Sequence, residues 1–198
     1  GLVNPTAVRT NVLSPTRLKQ WVDCPHSYFM RHVLNVDEPE SFRHEFRISA
    51  LMRGSLIHEA ADRFFRDQIS KGTPPGPDRP YNEHDILLIR RIGMEVATEL
   101  ETQGLVGRPL FWNRDREQLL NDLVGILKFD SQREPRGTVV ATELKFGLPD
   151  GDFPPLKRTL PSGRTVTFRG SVDRVEKTAA GTLVVVDYKT GKIDSYKK

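Results

Sequence analysis

The sequence holds one cysteine, two tryptophans and three methionines in 198 residues. A single thiol excludes an intrachain disulfide framework and a self-contained zinc–cysteine site. No apolar run approaches the length of a membrane span, and no signal-peptide pattern opens the chain. A cytoplasmic protein with no membrane partner is therefore expected. Charge of one sign is also scarce: 30 Lys+Arg against 26 Asp+Glu leaves +4, with a pI near 9.3. That balance fits a polyanion partner without demanding one. A G-x-x-x-x-G-K-[ST] loop is missing, which excludes an ATP-driven motor of that kind within these residues. Repeats and low-complexity tracts are absent too. At 37% hydrophobic and 28% charged, the chain reads as one globular domain over residues 1–198. It begins at Gly1 rather than Met, which reads as a tag remnant or a cut inside a longer polypeptide.

What is present falls into an α/β (α+β) pattern: a lead-in over 1–13, a helical part over 14–132 and a β-rich part over 133–198. Ser14-Pro15 supplies an N-cap and a first-turn proline for a helix over Thr16 to Val22. A second short helix is expected from His26 to about Leu34, and residues 35–50 carry no clear pattern. Gly54 is read as preceding a helix from Ser55 to Ile69, whose apolar stripe is Ile57, Ala60, Ala61, Phe64 and Phe65. Segment 70–81 is rich in Pro and Gly and reads as a surface loop. Asn82 caps a helix to about Gln103, and another runs from about Arg114 to Ser131. The period then becomes two. Strands are expected over Val139 to Phe146, Thr165 to Glu176 and Thr182 to Lys189, as an antiparallel set, with 147–163 a long connection.

The chemistry concentrates in the last two strands. A symmetric hairpin centred on Ala180 sets Asp173 opposite Asp187, and facing carboxylates repel unless a cation lies between them. Lys189, two residues past Asp187, shares its face. Leu183-Val184-Val185-Val186 reads as a strand buried on both faces, where a lone carboxylate at Asp187 would be costly. Asp187 is then either neutralised by Lys189 or joins Asp173 on a hard metal, Mg²⁺ or Mn²⁺. The second alternative suits phosphodiester hydrolysis, with Lys189 holding the attacking water or offsetting phosphate charge; the first leaves Lys189 a structural ion-pair partner. His58, at the rim of an apolar stripe, reads alone as a packed residue. Glu143 reads as a supporting carboxylate rather than a direct ligand, and Cys24 as a small buried side chain.

Four segments in order, Leu13-Ser14-Pro15-Thr16-Arg17-Leu18 leading to Cys24-Pro25, Arg53-Gly54-Ser55-Leu56-Ile57-His58, Gly170-Ser171-Val172-Asp173-Arg174 and Asp187-Tyr188-Lys189-Thr190-Gly191, resemble the RecB-type branch of the PD-(D/E)XK nuclease superfamily. That resemblance implies a restriction-endonuclease-like core, a mixed sheet flanked by helices, with DNA across its acidic face. It also implies metal ligation by His58, Asp173, Asp187 and the backbone carbonyl of Tyr188, and catalysis by Lys189 with Asp173 and Asp187. By the same resemblance Cys24 corresponds to the first cysteine of a [4Fe–4S] cluster whose other three cysteines are absent, as is a downstream Q-x-x-x-Y helix. A C-terminally truncated domain is the expectation on that ground. The implied function is a Mg²⁺- or Mn²⁺-dependent exonuclease in double-strand-break repair, alongside a helicase subunit or domain. A catalytically weak DNA-end-binding scaffold and a stand-alone CRISPR-adaptation-type nuclease are the alternatives.

Overall fold

A computed structural model describes residues 12–36 and 46–189 of the chain. Its elements follow in the order β1 (Val12–Leu13), α1 (Pro15–Asp23), α2 (Pro25–His32), α3 (Ala50–Ser70), α4 (Glu83–Thr102), α5 (Pro109–Gln132), β2 (Thr138–Phe146), β3 (Leu156–Thr159), β4 (Thr165–Phe168), β5 (Gly170–Lys177) and β6 (Leu183–Val186). The architecture is mixed α/β, with five helices and two three-stranded sheets among the described residues. Most of the lead-in, residues 1–11, and the Thr190-Gly191 end of the last motif lie outside the described residues. Two compact units are present, Gly1–Glu40 with Leu144–Ser171, and Ser41–Glu143 with Val172–Lys198.

In the first unit, Ser14 caps α1 through its hydroxyl, which accepts from the Arg17 N–H at 3.2 Å, and Pro15 takes the first helical position. Its sheet runs β1-β4-β3, with β1 parallel to β4 and β3 antiparallel to it. Two expectations are corrected here. The supposed connection 147–163 contains β3, paired from Leu156↔Phe168 to Thr159↔Thr165. The single strand expected over Thr165 to Glu176 is two: it breaks at Arg169, whose N–H turns to the Leu13 carbonyl at 2.9 Å. β4 and β5 consequently belong to different sheets.

The second unit buries α3, α4 and α5 against one another around Leu56, Phe64, Phe65, Ile89, Trp112 and Leu123. Asn82 and Asp85 close a capping box at the start of α4. Tight packing of α4 on α5 requires Gly93: a Cβ there would lie 2.5 Å from Leu123 Cδ1. α3 starts at Ala50 behind a Ser49 cap, so Gly54 lies inside the helix rather than before it. α5 likewise starts earlier than expected, at Pro109. The Pro/Gly-rich loop is not wholly superficial either. Pro75 and Gly76 are buried, and the Pro75 carbonyl accepts from Val139 N–H at 3.0 Å, which docks the loop onto β2.

This unit's sheet has the order β2-β5-β6. β5 and β6 are antiparallel, paired from Arg174↔Val186 to Lys177↔Leu183. That register centres the hairpin on Ala180 as the sequence suggests. The burial of β6 is different from expectation: Leu183 and Val185 are each 63% exposed and alternate with half-buried Val184 and Val186. β6 is the edge strand and is covered on one face only among the described residues. The buried strand is β5, where Arg174 and Glu176 are fully enclosed.

Candidate metal centre

Three elements of the second unit bring His58, Glu143 and Asp173 together, with one potential ligand atom of each lying within 4.8 Å of the others. α3 carries His58 one turn before Ala61 of its buried stripe. β5 carries Asp173, and the hydroxyl of Thr142 on β2 donates to the Asp173 carbonyl at 3.1 Å, fixing the neighbouring strand. Glu143 is on β2 with φ of 44°, a left-handed backbone that a non-glycine residue rarely adopts. The resulting kink breaks strand alternation, so its direction could not be read by counting residues along β2.

His58 Nδ1 is 3.5 Å from Asp173 Oδ1 and 3.9 Å from Glu143 Oε1. Its Nε2 is 3.2 Å from the Tyr188 carbonyl. The Tyr188 N–H donates to Asp173 Oδ2 at 2.6 Å. Both main-chain groups of one residue thereby touch the two central side chains. The hydrogen bond to Asp173 raises the His58 pKa; burial opposes it, and the charges of Asp173 and Glu143 assist. For Asp173, burial by itself would raise the pKa. His58, the Tyr188 N–H and Lys189 outweigh it and hold the carboxyl below its ordinary value.

Asp187 lies just past β6, half-exposed and ion-paired with Lys189; it is not a member of the close group of three. The expected burial of Asp187 therefore does not hold, because it follows an edge strand rather than an enclosed one. Glu143, read from sequence as a supporting carboxylate, stands among the potential ligand atoms instead. Its sequence signal was the strand-borne Glu143-x-Lys145 pair, though Lys145 itself pairs with Asp150.

Two carboxylates, an imidazole and a backbone carbonyl make a donor set suited to a hard divalent cation. Proximity of Glu143 to Asp173 on a strained backbone also fits such a cation, since the pair repels without one. Cys24 offers one thiol where an iron–sulfur cluster needs four ligands, and it is exposed rather than buried, with its Sγ accepting from Ser27 N–H at 3.4 Å as the cap of α2.

The sheet, the helices around it and an acidic group with a neighbouring lysine are the frame of a nuclease family. The chain belongs to the PD-(D/E)XK nuclease superfamily, whose family model matches residues 12–198. Over 191 residues it is 30% identical to an ATP-dependent helicase/deoxyribonuclease subunit of Clostridium tetani, covering 92% of this chain and 16% of that protein. Proteins of the same name from Clostridioides difficile and Geobacillus kaustophilus are 27% and 28% identical, over 92% and 89% of this chain and 16% and 15% of theirs. The chain thus spans about a sixth of the length of these relatives. No helix among the described residues is long and apolar enough to cross a membrane.

Proposed function

We propose that this chain is a divalent-metal-dependent deoxyribonuclease domain that hydrolyses DNA phosphodiesters. The observation carrying this reading is the group of His58, Glu143 and Asp173, closed by the Tyr188 main chain with Lys189 next in sequence. In the proposal His58, Asp173, Glu143 and the Tyr188 carbonyl hold Mg²⁺ or Mn²⁺, and Asp187 completes the set. When bound, such a cation polarises the phosphate and lowers the pKa of a water. Asp173 holds His58 in place through Nδ1, which leaves the imidazole able to ligate only when that nitrogen carries no proton. Lys189, ion-paired with Asp187, supplies the positive charge that offsets charge developing on the phosphate oxygens.

A cavity of about 520 Å³ opens beside Asp187 and Lys189, lined also by Asp122, Phe129 and Arg133. In the proposal the DNA strand enters there, with exposed Phe129 available to stack on a base. Association with a helicase takes its support from the relatives' name, and exonuclease-type digestion in break repair is the finer form of this proposal that the sequence resemblance implies. Incubation of the protein with end-labelled linear DNA, with Mn²⁺ or with EDTA, tests it. Metal-dependent shortening from the ends is expected, and it should vanish in Asp173→Asn. Intact DNA under every metal condition, with binding retained, would favour the end-binding scaffold.

A further inference from the structure

Beside the candidate centre lies a set of largely buried charges to which the proposed chemistry gives no catalytic role, although Asp130, Arg133 and Arg174 also line the cavity next to Asp187. Arg174 is fully buried on β5, with Nη2 at 2.5 Å from Asp130 Oδ1 and 2.7 Å from Glu176 Oε1. Arg133 binds the same two acids, at 3.1 Å to Asp130 and 2.6 Å to Glu176. The Tyr81 hydroxyl donates to Asp130 Oδ2 at 2.6 Å. Two arginines thus balance two acids, and the group is neutral as a whole.

Ion pairing leaves most of Arg174 unexplained. Its Nε and Nη1 are buried without a hydrogen-bond partner among the described residues, as is the Tyr188 hydroxyl. Such unmet donors are costly when enclosed. The guanidinium instead lies over rings: its central carbon is 4.6 Å from the Phe65 ring centroid and 5.6 Å from that of Tyr188. Both distances are within the range of a cation–π contact. The Tyr188 ring also meets the His58 ring edge-on, with centroids 5.8 Å apart.

We propose that Arg174 is a positioning residue: clamped by Asp130 and Glu176, it pins the Tyr188 ring, and thereby the Tyr188 N–H and carbonyl that orient Asp173 and His58. The inference rests on the metal-centre reading only for its consequence, the tuning of cation affinity. Tyr188 follows the edge strand past its last paired residue, so the ladder does not hold it. The buried guanidinium takes over that task. Lysine is not an equivalent replacement: an ammonium can still meet a ring face, but it is a compact point charge that packs and hydrogen-bonds differently from the guanidinium.

The test compares Arg174→Lys with Asp85→Asn, which disturbs the separate buried Arg79–Asp85 pair in the same unit. Arg133→Gln, a milder loosening of the same clamp, serves where Arg174→Lys does not fold. Two quantities are read: the imidazole NMR signals of His58 in metal-free protein, and the Mn²⁺ Kd by calorimetry. Both clamp variants should shift the His58 signals and weaken Mn²⁺ binding about 10-fold, the usual effect of removing a partner that orients a ligand. Asp85→Asn should lower the melting temperature and leave both readings at wild type. Unmoved His58 signals in the clamp variants, or an equal movement in Asp85→Asn, would overturn the inference. Should the wild type bind no Mn²⁺ while Arg174→Lys still moves the His58 signals, the positioning stands and the metal reading falls.

Discussion

The Tyr188 N–H donates to Asp173 Oδ2 at 2.6 Å, just past the final Arg174↔Val186 rung of the β5–β6 ladder. A side-chain acceptor there continues the strand pairing by one further bond. It fixes the carboxylate of Asp173 while the other oxygen turns to His58. One main-chain unit therefore sets the angle between two proposed ligands.

Metal affinity should depend on pH through His58. Its pKa is raised, chiefly by Asp173, above the ordinary value of about 6.5. Protonated imidazole cannot ligate, so Mn²⁺ binding should weaken as pH falls through that raised value. The sign for metal-free stability is opposite. A raised histidine pKa contributes stability that is full below about 6.5 and lost as pH rises through the folded value. Calorimetric titrations and thermal melts between about pH 5.5 and about pH 8.5 check both slopes, and His58→Gln should flatten them.

Glu143 combines strain and function. Glu143→Gly should relieve a left-handed backbone worth about 1–3 kcal/mol, against about 0.5–1 kcal/mol for glycine's added freedom. It also removes repulsion toward Asp173. A higher melting temperature in metal-free protein, with weaker Mn²⁺ binding, is expected; Glu143→Gln, which removes the repulsion but keeps the left-handed backbone, should weaken binding with a smaller gain in stability.

How far the sequence carries the argument varies by element. The hairpin register was legible, because a turn around Ala180 leaves one alternation that matches Asp173 to Asp187. The caps at Ser14 and Asn82 were legible from residue type alone. By contrast, Leu183 and Val185 look enclosed because an apolar run says nothing of which sheet position it takes. β3 was hidden because its residues sit among prolines and glycines and bury no apolar face that would show an alternation. The direction of the Glu143 side chain was not legible, because a positive φ in a strand has no signature when the residue is not glycine. The Arg174 cluster was equally invisible, since its partners Asp130 and Arg133 come from the end of α5 and beyond.

Acid should unfold this protein through that cluster. Burial by itself favours protonated Asp130, but Arg174, Tyr81 and Arg133 outweigh it and hold the carboxyl below its ordinary range. A depressed carboxyl pKa gives stability that is present above the unfolded value of about 3.9 and lost as pH falls below it. Urea midpoints measured from pH 5 down to about 3 should fall steeply in the wild type. Asp130→Asn should be less stable at pH 5, because Arg174 loses a buried partner, and should show a shallower decline.

Lys189→Ala should lower the cleavage rate by about 100-fold or more, the scale of losing one group that stabilises charge in the transition state. DNA affinity, measured by fluorescence anisotropy in Ca²⁺, should change little. An unchanged rate would remove Lys189 from the chemistry.

The most direct test is a calorimetric titration of Mn²⁺ into wild-type protein and into Asp173→Asn. Binding in the wild type, and a Kd at least about 10-fold weaker in the variant, is the predicted result. Equal affinity in the two proteins would contradict a cation held between His58 and Asp173.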